Sequence, residues 1–396
     1  MKKKLFSSLK IGNFQLKNRF VFNPITLNVS KDNQVCQADI DFYKHRAHSA
    51  SLFVTGGVFV DENGSLFKFG HSATENSNVF GLKKLAKAIK SKKNVAILQL
   101  IHAGSHSLAA VEKFGFSFGP SSSIRNYPWK YSVFRLNQKQ IQKIIKKYAE
   151  ATKRAIDAEF DGIEVSAAQK LLPQEFLSTY TNKRNDKYSA KNLTNRTRFL
   201  IQVLIEVQKT IQKSGQKNFL LGLRMTTEER RGNDFGYTIE DFFDFLTQIE
   251  KNHIKIDYLA IAGWGKDLFK DRVRSPGKYF GKLVSEVIYE KYQGKIPIMI
   301  NGSINSFEKC KVAIKFADLV GLSSVFVSEP DFVDKVSKNQ EINLNLAGKN
   351  FKKLKIPKNA FQEISHYFDY GQTLPNESRE NISKNAKDRK KTISVR

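Results

Sequence analysis

Residues 137–166 read NQKQIQKIIKKYAEATKRAIDAEFDGIEVS. Within them Ile141, Ile144, Ile145, Tyr148, Ala151 and Ala155 recur every three or four positions, which places them on one face of a helix over about 137–160. The run Gly162–Ser166 (GIEVS) follows at once; it is short and partly β-branched, as a strand buried on both faces should be. Upstream, VAILQLI at 95–101 is a second such run. Strand, amphipathic helix, strand is the β–α–β unit, whose two parallel strands are joined by a right-handed crossover.

The alternation continues in both directions. Strand-like runs fall at 20–26 (FVFNPIT), 52–55 (LFVT), 219–225 (FLLGLRM), 258–262 (YLAIA), 296–300 (IPIMI) and 319–322 (LVGL). Helical segments follow them at about 38–48, 82–91, 194–214, 239–251, 278–292, 307–316 and 331–337. Eight strand–helix units predict an α/β fold, a closed (β/α)8 TIM barrel over residues 1–345. Residues 103–136, after the third strand, include Gly115, Gly119, Pro120 and Pro128 and are expected to form a long cap over the barrel mouth. Residues 346–396 are expected to be a basic, partly disordered C-terminal extension. Its last part, 376–396, lacks an apolar face and should fray.

The 396 residues carry 66 Lys+Arg against 38 Asp+Glu, a formal charge of +28. Fifty of these cations are Lys and 16 are Arg, spread along the chain rather than blocked. Recognition of phosphates and bases leans on Arg forks. The excess therefore reads as a solvated lysine surface, with no specific nucleic-acid partner expected; a weak attraction to polyanions is the other reading. Two cysteines, Cys36 and Cys310, exclude a disulfide scaffold and a cysteine zinc site, and read as packed thiols. No stretch approaches the ~18 apolar residues of a membrane span. Lys10 interrupts the start MKKKLFSSLKIGNF before a signal-peptide core can form, so a cytoplasmic location is expected.

Active sites of such barrels sit at the C-terminal strand ends. There the sequence collects Thr26, Gln99 and Arg224, with Gly302–Ser303 and Ser323–Ser324 at the corner where these barrels hold phosphate. A phosphorylated planar cofactor would use this set well, because a cation beside the N1/O2 edge of a flavin stabilises its anionic reduced form. Arg224 can alternatively pair with Glu164, and Gln99 reads equally as a buried structural amide. His102 and His106 are four apart, but no third ligand is suggested, so no metal site is expected. Arg184, Asp186 and Arg196 read as an ion-pair cluster anchoring the loop after strand four.

These stretches also carry a resemblance. LFSSLKIGNFQLKNRFVFNPIT (5–26), QLIHAG (99–104), PSS (120–122) and DGIEVSAAQKLLPQEFLSTYTNKRNDKYSAKNLTNRTRF (161–199) resemble the old yellow enzyme family of NAD(P)H:flavin oxidoreductases, as do GLRMTTEE (222–229) and ADLVGLSSVFVSEPDF (317–332). The resemblance covers roughly residues 5–340, in matching order and strand placement. It implies FMN in a TIM barrel, reduced by NADH or NADPH, and a small-molecule substrate. By position it makes Pro24, Thr26, Gly57, Gln99 and Arg224 isoalloxazine contacts, and Gly302, Ser303, Ser323 and Ser324 the phosphate site.

The chain departs from the family pattern where substrate is held. The family usually places His and Asn or His three apart at the end of strand four; here they are Ser166 and Gln169, and the proton-donating Tyr position is Leu171. Neither Ser nor Gln is cationic, so oxyanion stabilisation would be weaker, which argues against ordinary enone reduction. On strand eight Ser323–Ser324 stands where the family often has Gly-Arg. A lysine such as Lys278 is one candidate to replace that cation. The leading reading is an FMN-dependent oxidoreductase passing hydride from flavin N5 to an unidentified organic acceptor, with Ser166, Gln169 and Arg224 at the reacting centre. A degenerate flavin barrel kept for binding or regulation is the alternative. A third reading, a flavin enzyme acting on RNA, is motivated by the charge but lacks a loop cysteine to donate a proton. A homo-oligomer stays open.

Overall fold

A computed structural model describes residues 1–386 apart from Trp264. Its centre is a ring of eight parallel strands. They are β1 (Phe20–Phe22), β2 (Leu52–Val54), β3 (Val95–Ile101), β4 (Gly162–Ala167), β5 (Leu220–Met225), β6 (Tyr258–Ile261), β7 (Ile298–Ile300) and β8 (Leu319–Leu322). Each pairs with the next, and β8 closes on β1 with Val320 opposite Phe20. The expected TIM barrel is therefore present. Around it lie α1 (Gln37–Arg46), α2 (Asn78–Lys90), α3 (Gln138–Asp157), α4 (Leu193–Lys213), α5 (Ile239–Lys251), α6 (Val284–Tyr292), α7 (Phe307–Ala313) and α8 (Phe332–Ser337). Asn137 and Thr238 begin α3 and α5 with capping boxes, each satisfying two otherwise orphaned backbone N–H groups.

Alternation along the strands sorts their side chains. Ile163, Val165, Leu221, Leu223 and Met225 face outward into the layer beneath the helices. Val21, Leu52, Val54, Val95, Ile97, Leu220, Tyr258, Ala260, Met299 and Leu319 fill the lower barrel interior. The hairpin Leu9–Ile11/Phe14–Leu16 plugs that lower end with Ile11 and Leu16. The same period of two turns Gln99, Glu164 and Arg224 inward, above the apolar plug.

Three of the boundaries that differ from the sequence reading have a clear local reason. β1 stops at Phe22, two residues before Pro24, and β7 starts just after Pro297; proline has no N–H to give a ladder. The helix read from 278 begins at Val284, because Gly277 and Gly281 adopt φ of +134° and +77°. The segment expected to cap the mouth contains the helix Leu108–Phe114 and a small sheet in which Tyr131–Arg135 lies between Phe116–Gly119 and Ser123–Arg125.

The extension folds onto the barrel as far as Ala386. Leu346, Ile356, Phe361, Leu374 and Ile382 are buried in the main core. Where fraying was expected, Asn376–Asn385 is a helix with Ile382 fully buried, so one apolar residue aimed at the core anchors an otherwise polar helix. Residues 387–396, the rest of the expected frayed end, lie outside the described residues. Among the described residues no helix is long and apolar enough to cross a membrane.

Candidate active site

The site residues read from sequence stand at one end of the barrel. Pro24 and Thr26 follow β1, Gly57 follows β2, and Gln99 is in β3. Ser166 lies in β4 opposite Arg224 of β5. Gly302–Ser303 follow β7 and Ser323–Ser324 follow β8. Gln169 stands apart, exposed on the rim, its backbone N–H donating to Thr226 Oγ1 at 3.2 Å.

Below the rim a buried polar network holds the guanidinium. Glu164, wholly buried, accepts from Arg224 Nε at 2.6 Å and Nη2 at 3.3 Å. It also accepts from Gln99 Nε2 at 2.8 Å and the Tyr258 hydroxyl at 3.0 Å. Arg224 Nη2 further donates to Asn23 Oδ1 at 3.2 Å. Burial beside this carboxylate pushes the Tyr258 phenol well above its ordinary range, so it stays a donor. Gly222 leaves the space the Tyr258 ring occupies; a Cβ there would run into the ring. The Arg224–Glu164 pair is thus real, and it fixes the guanidinium inside the barrel beside Asn23. Glu164, Asn23 and Tyr258 were not singled out from sequence as site residues. The available signal was a carboxylate inside an apolar run, in phase with Ser166.

The side expected to face the acceptor differs from a histidine-lined one. Ser166 is buried, while Gln169 and Lys170 adopt left-handed φ of +54° and +63°, a conformation non-glycine residues rarely hold. Leu171 packs with Phe59, Ile101 and Ala103, so no hydroxyl stands there. Beside Gln169 a cavity of about 230 Å³ is lined by Lys170, Thr226, Arg230, Arg272 and Arg274.

The corner expected to take the phosphate is built from three parts of the chain. Ser303 and Ser324 are buried there. Ser303 Oγ donates to the Gly371 carbonyl, and the Ser324 hydroxyl bonds the Asp369 carboxylate. Asn305 Nδ2 donates to the Thr373 carbonyl at 2.6 Å. Lys309 of α7 reaches the Ser303 carbonyl at 3.2 Å and Asp267 Oδ1 at 2.7 Å. Leu268 covers Gly302, whose added Cβ would fall 2.5 Å from the leucine Cβ. Lys278, the lysine considered from sequence, instead lies over the Tyr279 ring at 4.7 Å. Lys309, Asp267 and Asp369 were missed, because nothing local marks which of many lysines or aspartates reaches this corner.

Other groups take structural places. His102 is fully buried, accepts from Gly104 N–H at 3.1 Å, and is lowered by desolvation to a pKa of about 4. His106 faces Glu175 at 3.5 Å instead. Arg184 pairs with Asp186 and donates to the Pro120 and Leu136 carbonyls, tying the loop after β4 to the cap. Arg196 does not join them; it pairs with Asp241 at 3.1 Å. Burial raises the Cys310 thiol to about 12 and the Cys36 thiol to about 11, so both are poor nucleophiles.

The donor set fits a flavin mononucleotide in kind. A fixed guanidinium, an amide and a threonine hydroxyl lie where the ring is expected, and two serine hydroxyls with an ammonium lie where the phosphate is expected.

Comparison with known proteins agrees. Residues 4–343 match the model of the NADH:flavin oxidoreductase / NADH oxidase family. An uncharacterized oxidoreductase of Streptococcus pyogenes serotype M5 is 43% identical over 95% of both chains. A probable NADH-dependent flavin oxidoreductase of Bacillus subtilis, YqiG, is 27% identical over 88% of this chain and 92% of its own. The old yellow enzyme homologue of Zymomonas mobilis superposes with a TM-score of 0.70 at 21% identity, over 86% of this chain and 94% of that one. The chain belongs to the NADH:flavin oxidoreductase / NADH oxidase family, the old yellow enzymes, and is an FMN-dependent NAD(P)H oxidoreductase built on a TIM barrel.

Proposed function

We propose that this enzyme passes reducing equivalents from NADH or NADPH to a small organic acceptor held over the β4 end of the barrel. Pro24, Thr26, Gly57, Gln99 and Arg224 would hold the isoalloxazine, and Gly302, Ser303, Ser323 and Ser324 the phosphate. The observation that carries the reading is the Glu164–Arg224 pair. It holds a cation in a fixed place at the level of Ser166, and a charge already in place needs no reorganisation during reaction. FMN, when bound, supplies the two-electron chemistry that links nicotinamide to acceptor.

The chain's own residues determine the rest. Glu164 holds the guanidinium by two bonds and the Gln99 amide by one, so both groups are oriented before any ligand arrives. Ser166 offers one neutral O–H and Gln169 a neutral amide toward the acceptor. Leu171 donates no proton and dries its side of the mouth. Weak neutral donors suit an acceptor whose alkene is already activated, or one reduced without a strongly developed oxyanion, better than a simple enone. We place the catalytic unit at residues 1–345 and the site of action in the cytoplasm, with no nucleic-acid partner.

The test is the visible absorption spectrum of the purified protein, followed by titration with FMN and anaerobic NADH and NADPH. Flavin absorbance bleached by either nicotinamide is the expected outcome. A colourless protein that takes up no FMN refutes the reading. Ser166 and Leu171 favour a second reading, a flavin barrel kept for binding or regulation. Steady-state turnover of NADH with any acceptor, abolished by Arg224→Ala, would exclude it.

A further inference from the structure

We propose that Lys309 is the cation of the FMN phosphate site, and that Asp267, Asp369 and the Gly371 carbonyl occupy that site as an internal surrogate which the phosphate must displace. The proposal rests on the flavin reading above. A serine hydroxyl has a single proton to donate. Ser303 gives its proton to the Gly371 carbonyl, and Ser324 bonds the Asp369 carboxylate. The Lys309 ammonium is held by Asp267 Oδ1 at 2.7 Å and by the Ser303 carbonyl at 3.2 Å. The two serine hydroxyls of the corner and two of the three ammonium protons of Lys309 are therefore taken by acceptors of the chain itself. A phosphate monoester offers only acceptors and brings a charge close to −2, so it competes for the same protons and cannot share the corner with two carboxylates.

The surrogate is built, not incidental. Asp369 is buried and also accepts from the backbone N–H groups of Thr373 at 2.9 Å and Leu374 at 2.7 Å, so its carboxylate is held in a defined place. Gly371 is pressed against Ser303 and the Gly265 carbonyl, and a Cβ there would collide with the serine oxygen. The segment 369–373 is flanked by buried Phe368 and Leu374, with a further tie from Asn305 to Thr373. Asp267 approaches from the other side, on the loop after β6, at a left-handed φ of +52°. Asp267 thus closes on Lys309, Asp369 on Ser324 and the Gly371 carbonyl on Ser303. FMN entry then requires the extension to open at 369–373 and the β6 loop to release Lys309.

Comparing FMN with riboflavin, which lacks the phosphate, isolates this corner from the ring contacts. Both flavins are titrated into the flavin-stripped full-length protein, following flavin fluorescence. Lys309→Ala should weaken FMN by about 10- to 100-fold, the loss of one charge-assisted bond, and leave riboflavin unchanged. Lys309→Arg should restore most of the FMN preference. Asp267→Asn and Asp369→Asn should each tighten FMN by about three- to tenfold and accelerate its association, again with riboflavin unchanged. Asn tolerates the left-handed backbone at 267, and unchanged riboflavin binding reports an intact barrel. An unaltered FMN-to-riboflavin ratio in Lys309→Ala overturns the assignment of the lysine. FMN affinity unchanged or weakened in both aspartate variants overturns the surrogate. A wild-type protein that binds neither flavin overturns the flavin reading itself, and this proposal with it.

Discussion

Glu164→Gln is the most informative single perturbation of the site. The carboxylate receives four hydrogen bonds, two from Arg224, one from Gln99 and one from Tyr258, and it is wholly buried. Glutamine preserves the shape but presents an NH2 group to donors on one side and removes the charge that compensates Arg224. Removing one partner of a buried ion pair costs about 3–5 kcal/mol, because the remaining charge is left desolvated and unpaired. Glutamine keeps one acceptor oxygen, so the lower end, about 3 kcal/mol, is expected. Urea unfolding of wild type, Glu164→Gln, Arg224→Met and the double variant reads this directly. The double variant has no stranded charge and should be more stable than the sum of the two single losses predicts, with a coupling of about 1–3 kcal/mol. A Glu164→Gln loss below about 1 kcal/mol, or additive effects in the cycle, would refute a tightly coupled pair.

Ser166→Ala and Gln169→Ala should leave flavin reduction by nicotinamide unchanged and slow the oxidative half-reaction about two- to tenfold, the worth of one neutral hydrogen bond; equal loss in both half-reactions, by stopped-flow, would contradict their place on the acceptor side. Leu171→Tyr should destabilise by about 1–3 kcal/mol, because the larger ring and its hydroxyl enter the apolar packing of Phe59, Ile101 and Ala103. A gain in enone reduction by that variant, without loss of stability, would show that the pocket has room for a proton donor. His102 is depressed from 6.5 to about 4 by burial, so the unfolded chain binds the extra proton between those values. Stability is then full above about pH 6.5 and falls as the pH drops toward 4, by up to about 3 kcal/mol. Urea midpoints at pH 7 and pH 4.5 should show a slope that His102→Gln reduces, and an identical slope in that variant would assign the effect to other groups.

The strands and helices were largely legible because their signals are local. β3, β8 and α5 are observed over the same residues read from sequence, 95–101, 319–322 and 239–251. Strands covered on both faces must be continuous apolar runs, and α5 repeats its apolar positions at the helical period. Strand order then followed from the β–α alternation, and the barrel rule put Thr26, Gln99, Arg224 and the two Gly/Ser corners at one end. The same local signals misjudged residues 376–385, where a single Ile382 supplies the anchor and no periodic face exists to be read.

The sequence by itself determined the barrel and the family, and it gathered Thr26, Gln99 and Arg224 at one end of that barrel, since each depends on spacing along the chain. Only the tertiary structure decided which groups meet there. It pairs Arg224 with Glu164, buries Leu171 among apolar side chains, and brings Lys309 to the Ser303 carbonyl. It also folds the extension back over Ser303 and Ser324. Ser303 and Gly371 are 68 positions apart, and Arg224 and Glu164 are 60 apart. No periodicity encodes such a pairing; it follows from where the closed barrel brings its loops and how the inward period of two aims each side chain.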